Sequence, residues 1–288
     1  MNNIEISNGS VRARFQPDWG GLLSAFQFNH PDNGWVDAFV GEAEKPASVD
    51  GIPFFGCFQM VPFANRLYDG IMQTEKTNYP FPVQLTEAGL AIHGTGWDQP
   101  WQVCEQTQTS VVMAFAWTSQ SGAYGFGAEL AAHLQDSAIR LELKLRNSSG
   151  AAIPMGLGFH PWFPDIETSR VSVGQPLPVN RDSPWNIYPG DDFSGLPATF
   201  KPADFDGLDA SFDNWDQKAR IDLLARGLRL EMTAAGAVDR LHVFVMGGTN
   251  RFCLEPVSHK PGDLRDPAFL VPPGRSVSGQ MLLTCRAI

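Results

Sequence analysis

Basic clusters, long apolar runs, paired cysteines and nucleotide-binding loops are all missing from this chain, and each absence removes a class of function. Its 21 lysines and arginines are outnumbered by 31 aspartates and glutamates, for a net charge of −10. That sign, with no basic cluster to override it locally, repels phosphate backbones and anionic lipid surfaces, so no nucleic-acid partner is expected. No apolar stretch approaches membrane-spanning length, and Met1-Asn2-Asn3-Ile4-Glu5-Ile6 has neither the basic start nor the apolar run of a secretion signal. The expectation is a soluble cytoplasmic protein without membrane contact. Cys57, Cys104, Cys253 and Cys285 are scattered and form no Cys-x-x-Cys pair, which reads as reduced thiols and not as a disulfide framework or a zinc site. The chain also lacks Gly-x-x-x-x-Gly-Lys, Gly-x-Gly-x-x-Gly and Gly-x-Ser-x-Gly, the marks of nucleotide and acyl-serine chemistry. No long segment has a persuasive helical period.

What is present is strand pattern. Hydrophobic residues at 43% of the chain, including aromatics at 11% of the chain, supply a sizeable core, and 18% charged residues are too few for a disordered or coiled-coil chain. Alternation is clearest at Ile139-Arg140-Leu141-Glu142-Leu143-Lys144-Leu145-Arg146-Asn147, a strand with one wet side. Similar runs occur at Val11 to Phe15, Leu22 to Phe28, Val111 to Trp117, Phe126 to Leu134, Ala219 to Leu224, Leu228 to Thr233, Leu241 to Met246 and Ser276 to Arg286. Glycine, proline, asparagine and aspartate punctuate them. The predicted fold is all-β, a large antiparallel β-sandwich forming one domain over residues 1–288. Gln175 to Gln217, crowded with Pro, Asp, Gly, Trp and Phe, reads as an elaborated irregular connection.

Two segments point to a pocket. In Gly156-Leu157-Gly158-Phe159-His160-Pro161, alternation sends Gly156, Gly158 and His160 to one side, so a histidine overlooks a floor without side chains where a ligand could lie close to the backbone. In Arg251-Phe252-Cys253-Leu254-Glu255-Pro256, the Glu255 carboxylate has apolar neighbours and must be paired, raised in pKa or open to a cleft; Arg251 is a candidate partner. His93 enters a glycine turn at Gly94-Thr95-Gly96-Trp97, where capping and catalysis are equally plausible. Arg66, after Asn65, reads first as one half of a salt bridge, and Asp209 as a loop carboxylate. His93, His160, His242 and His259 are too widely spaced for a common metal motif, so no metal is expected.

Taken in order, Asn65-Arg66 with Gly70, His93-Gly94 with Gly96-Trp97 and Trp101, Gly158-Phe159-His160-Pro161-Trp162-Phe163, Leu208-Asp209 with Phe212, and Leu254-Glu255-Pro256 resemble the aldose 1-epimerase (galactose mutarotase-like) family. Pro17 with Gly20-Gly21 and Pro273-Gly274 extend the resemblance over nearly the whole chain. It implies a supersandwich with an open sugar cleft, and mutarotation of a free aldose without a cofactor, by a monomer or homodimer. By carry-over, His160 is the general acid at the ring oxygen and Glu255 the base at the anomeric hydroxyl. Arg66, His93 and Asp209, with Asn65 and Trp97, hold the sugar. The chemistry itself asks for two proton carriers, which a histidine near ~6.5 and a glutamate near ~4.3 can supply at neutral pH. The Asn-His-Ser-Tyr wording typical of dedicated galactose mutarotases is absent, which leaves the sugar open. Alternatives are a sugar-binding or sensor domain without turnover, and a hexose-phosphate epimerase using Arg181, Arg240 or Arg251.

Overall fold

Ile139, Leu141, Leu143 and Leu145 turn inward from the strand Ala138–Asn147 while Glu142, Lys144 and Arg146 stay exposed, as the alternation predicts. This strand lies mid-sheet between Gly125–Gln135 and Ser276–Ala287, both antiparallel to it. The computed structural model describes residues 3–44, 48–49, 51–179 and 185–288. Among them, helical structure is limited to short 3-10 turns, and two nine-stranded antiparallel sheets dominate. One sheet runs, in spatial order, Ile4–Ser7, Val11–Gln16, Leu22–His30, Cys57–Met60, Gly158–Pro164, Arg251–Val257, Arg240–Val245 and Asp209–Phe212, with Gly34–Asp37 also paired to Leu22–His30. The other runs from Gln102–Gln106 through Ala138–Asn147 and Ser276–Ala287 to Thr199–Phe200.

The two sheets share one core. Phe15, Phe26 and Phe163 from the first and Leu130, Leu143, Leu230 and Leu283 from the second belong to the same buried cluster. Burying each such side chain contributes about 1.5–3 kcal/mol, which makes the sandwich the natural destination of these alternating strands. A second, smaller cluster of Phe58, Met60, Trp97, Trp162 and Cys253 covers the opposite face of the first sheet. Phe252 and Leu254 point into the main core, whereas Cys253 points into the second cluster. Gly158–Pro164 and Arg251–Val257 are therefore buried at every residue.

Two sequence expectations change here. The Gln175 to Gln217 region is not simply irregular: Leu177–Pro178 pairs with Gly195–Leu196, and the segment ends by adding Asp209–Phe212 to the edge of the first sheet. Nor are the glycines an open floor. A Cβ at Gly156 would collide with the His259 ring and come within 2.9 Å of Ser258 Oγ, and one at Gly158 would lie 2.7 Å from Met60 Cε and 2.9 Å from Val257 Cγ1. Their missing side chains make room for protein, not for a ligand, because this part of the sheet is covered on both sides.

His259 is itself fixed. The Ala64 N–H donates to its Nε2 at 3.2 Å, and its Nδ1 lies 2.8 Å from Ser258 Oγ. Gly156→Ala must displace that ring, so it is expected to cost about 1–3 kcal/mol. A urea denaturation midpoint indistinguishable from that of the unmodified chain would refute the packing role.

Candidate active site

Antiparallel register places Gly158 opposite Val257 and Trp162 opposite Cys253, which sets His160 and Glu255 at one level on neighbouring strands. Their side chains meet: His160 Nε2 is 3.4 Å from Glu255 Oε1, and the residues are only 4% and 2% exposed. Phe58 stacks on the His160 ring at 4.4 Å, Trp162 lies at 5.1 Å, and His93 stands edge-on at 5.0 Å. Within this apolar cage His160 Nδ1 has no hydrogen-bond partner among the described residues.

Desolvation disfavours the charged form of each group, pushing His160 down to about 3 and Glu255 up to about 8. This reverses the sequence expectation of a readily protonated histidine beside an ionised glutamate. Between those limits the pair keeps one exchangeable proton, and the dry surroundings put it on Glu255.

A charged and hydrogen-bonded array extends from the pair towards the sheet edge. Glu255 lies opposite His242 in the strand pairing, and His242 lies opposite Ser211. His242 Nε2 donates to Asp209 Oδ1 at 2.9 Å, and its Nδ1 is 2.7 Å from Ser211 Oγ. Arg66 clamps the same carboxylate, with Nη2–Oδ2 at 2.5 Å and Nη1–Oδ1 at 3.4 Å, and also donates to Asn65 Oδ1 at 3.1 Å. Burial opposes the charge on Asp209, yet the His242 hydrogen bond and the Arg66 guanidinium hold it below the carboxylate range. Burial opposes a charge on His242 too, but Glu255 and Asp209 lift it above the ordinary histidine value.

Asn65 and His93 come from turns with φ of 62° and 56°. Residues other than glycine rarely adopt this left-handed region, and such strain concentrates at functional sites. Each braces the other: the Asn65 N–H donates to His93 Nδ1 at 3.1 Å, and the His93 N–H donates to the Asn65 carbonyl at 2.8 Å. Acceptance at Nδ1 leaves the ring proton on Nε2. Burial, together with the positive influence of His160 and Arg66, holds His93 well below the usual histidine range. It is a neutral donor.

These residues line a cleft of about 230 Å³ with apolar walls from Phe54, Leu85, Ile92, Trp162 and Phe244. The arrangement suits a small polyhydroxylated molecule, with a one-proton pair at one end and fixed hydrogen-bonding groups at the other. His160, Cys253 and Glu255 also bring donor atoms within 4.8 Å of one another. Burial pushes the Cys253 thiol well above its ordinary pKa.

The aldose 1-epimerase family profile matches residues 2–284. The chain belongs to the aldose 1-epimerase family. It is 24% identical over 300 residues to the protein YphB of Escherichia coli (strain K12), covering 98% of both chains. Its fold resembles a solved galactose mutarotase-like protein from Clostridium acetobutylicum, with TM-score 0.75, 18% identity and coverage of 99% and 95% of the two chains. It also resembles a galactose 1-epimerase from Lactobacillus acidophilus, with TM-score 0.72, 13% identity and coverage of 99% and 94%.

In this aldose 1-epimerase family member the structure brings His160, Glu255, Arg66, His93, Asp209 and Asn65 to one cleft. Trp97 is not among its lining residues. It is buried in the cluster beneath, where its Nε1 donates to the Ile92 carbonyl at 2.9 Å. Arg66 does form the expected salt bridge, with Asp209, and Asp209 is a strand residue and not a loop carboxylate. Arg251, considered as a partner for Glu255, donates Nη1 to the Phe54 carbonyl at 2.7 Å. Arg181 lies outside the described residues. Sequence reasoning considered His242 only as a metal ligand; its position between Leu241 and Val243 gave the hint, since alternation turns it away from the core those two enter.

The pair carries a stability signature. His160, depressed from 6.5 to about 3, makes the fold gain stability as pH rises to about 6.5, whereas Glu255, raised from 4.5 to about 8, makes it lose stability up to about 8. The two oppose each other until the histidine contribution ends. From pH 6.5 to 8 the Glu255 loss, about 1–2 kcal/mol, is joined by a loss from His242, which also holds its proton above its unfolded value. Glu255→Gln should reduce that loss, by removing the Glu255 share and the carboxylate that helps lift His242, in urea titrations run across this range; an unchanged slope would show that Glu255 ionises normally.

Proposed function

We propose that this protein interconverts the α and β anomers of a free aldose, with His160 and Glu255 as the proton carriers. The observation that carries this reading is their 3.4 Å approach within a buried cleft that also holds the Arg66–Asp209–His242 array. In ring opening, Glu255 as carboxylate takes the proton of the C1 hydroxyl while His160 as imidazolium gives one to the ring oxygen. The C1–O5 bond breaks, the C1 carbonyl forms, and the C1–C2 bond rotates before closure reverses both transfers. Atoms and charge balance without a cofactor.

Burial gives the step a direction. Opening turns a charged pair into neutral histidine and neutral carboxylic acid, the form favoured by these dry surroundings. The sugar's own hydroxyls would solvate the charged form before the step. At the far end Asp209, Arg66 and Asn65 provide acceptors and donors for ring hydroxyls, and His93 provides a neutral Nε2–H. Trp162 offers an aromatic face to the sugar's C–H surface.

Polarimetry on freshly dissolved α-glucose and α-galactose tests the reading. Glu255→Gln and His160→Asn should each lower the exchange rate by roughly 10²–10⁴-fold while remaining folded. Near-normal exchange in Glu255→Gln would remove Glu255 from the mechanism, and saturable sugar binding without exchange would make the protein a sensor. The rate in the unmodified enzyme should fall as pH rises through about 8, where the pair loses its proton.

A further inference from the structure

A second cavity, also of about 230 Å³, adjoins the cleft and shares Arg66 with it. Its walls include Tyr68, Asp69, Gln73, Trp185 and Arg265. We propose that this cavity is a subsite for a second sugar unit, so that the preferred substrate is the reducing end of a neutral disaccharide or longer oligosaccharide. The inference rests on the epimerase reading of the first cleft.

Its position follows from the backbone. Neighbouring strands are about 4.8 Å apart, so Asp209, two strands beyond Glu255 in the order Arg251–Val257, Arg240–Val245, Asp209–Phe212, stands about 10 Å away across the sheet. That distance accommodates one pyranose with a hydrogen bond at either end. A sugar with C1 at His160 and Glu255 therefore presents its far hydroxyl to Arg66 and Asp209, and a glycosidic substituent there continues past Arg66. Tyr68 is two residues after Arg66 in the strand Arg66–Tyr68 and so faces the same way. Ile187 exchanges both backbone hydrogen bonds with Asp209, at 2.7 and 2.9 Å, and Trp185 precedes it by two residues.

The rings of Tyr68 and Trp185 meet with centroids 4.2 Å apart, and Tyr68 is 47% exposed. An aromatic surface beside a polar cavity suits a sugar, which has an apolar C–H face and hydroxylated edges. Polar groups await those edges, since the side chains of Gln73 and Arg265 make no hydrogen bond or ion pair among the described residues. The charges favour a neutral ligand over a phosphate: Asp209 neutralises Arg66, and the Asp69 carboxylate accompanies Arg265 in the wall.

Exchange rates with glucose, maltose, cellobiose, lactose and glucose 6-phosphate, followed by anomeric NMR, test the proposal. At least one disaccharide should show a kcat/KM about tenfold above glucose. Trp185→Ala and Gln73→Ala should each erase that advantage through KM and leave glucose exchange within twofold. Disaccharides no better than glucose, variants that lower both substrates equally, or glucose 6-phosphate as the best substrate would overturn it. If no sugar is exchanged, the epimerase reading fails on its own. The subsite then stands if saturation transfer reaches the non-reducing unit of a disaccharide in the unmodified chain and is lost in Trp185→Ala, and falls if that unit receives none.

Discussion

The register between Gly158–Pro164 and Arg251–Val257 is the constraint on which the cleft depends. It sets an imidazole against a carboxylic acid in the middle of a sheet covered on both faces, where neither group keeps its aqueous character. Moving either strand by one residue would send its functional side chain into the sandwich core and bring Phe159 or Pro161, or Leu254 or Pro256, into its place. Burial at every position of both strands protects that register, because a slip would disturb packing on two sides at once.

The cleft treats charge differently along its length. Its inner end holds a pair with little solvent and few hydrogen bonds, so protonation is poised between two partners. Its outer end holds a carboxylate satisfied by both Arg66 and His242, so charge there is fixed. The contrast separates fixed charge from a movable proton. Asn65 and His93 join the two ends through strained turns that brace one another, and Gly94 follows immediately at φ 74°, where a Cβ would overlap the Val61 carbonyl.

The sandwich was legible because strands such as Ala138–Asn147 have one wet face, and period-two alternation records it directly. The site strands have no wet face, so their alternation divides two kinds of burial and cannot tell a cleft from a second core. That is why Gly156 and Gly158 resembled a ligand floor when they accommodate His259, Ser258, Met60 and Val257. It is also why Trp97 looked available to a sugar. The order of His160, Glu255, Arg66, His93 and Asp209 along the chain marked the family, but the lowered pKa of His160 and the raised pKa of Glu255 arise from desolvation in a cage that Phe58 and His93, distant in sequence, help to close. Asp209 looked like part of a loop because its strand has only four residues and follows a turn-rich connection.

His160, Glu255, His242 and Asp209 each come from a different strand, and the four strands are consecutive in the sheet. The cleft is thus written across the sheet, one side chain to a strand, and not along any continuous piece of chain. A substitution at the Asp209 end leaves the backbone under the His160–Glu255 end untouched. Side chains on that edge strand can change while the register that sets His160 against Glu255 stays fixed.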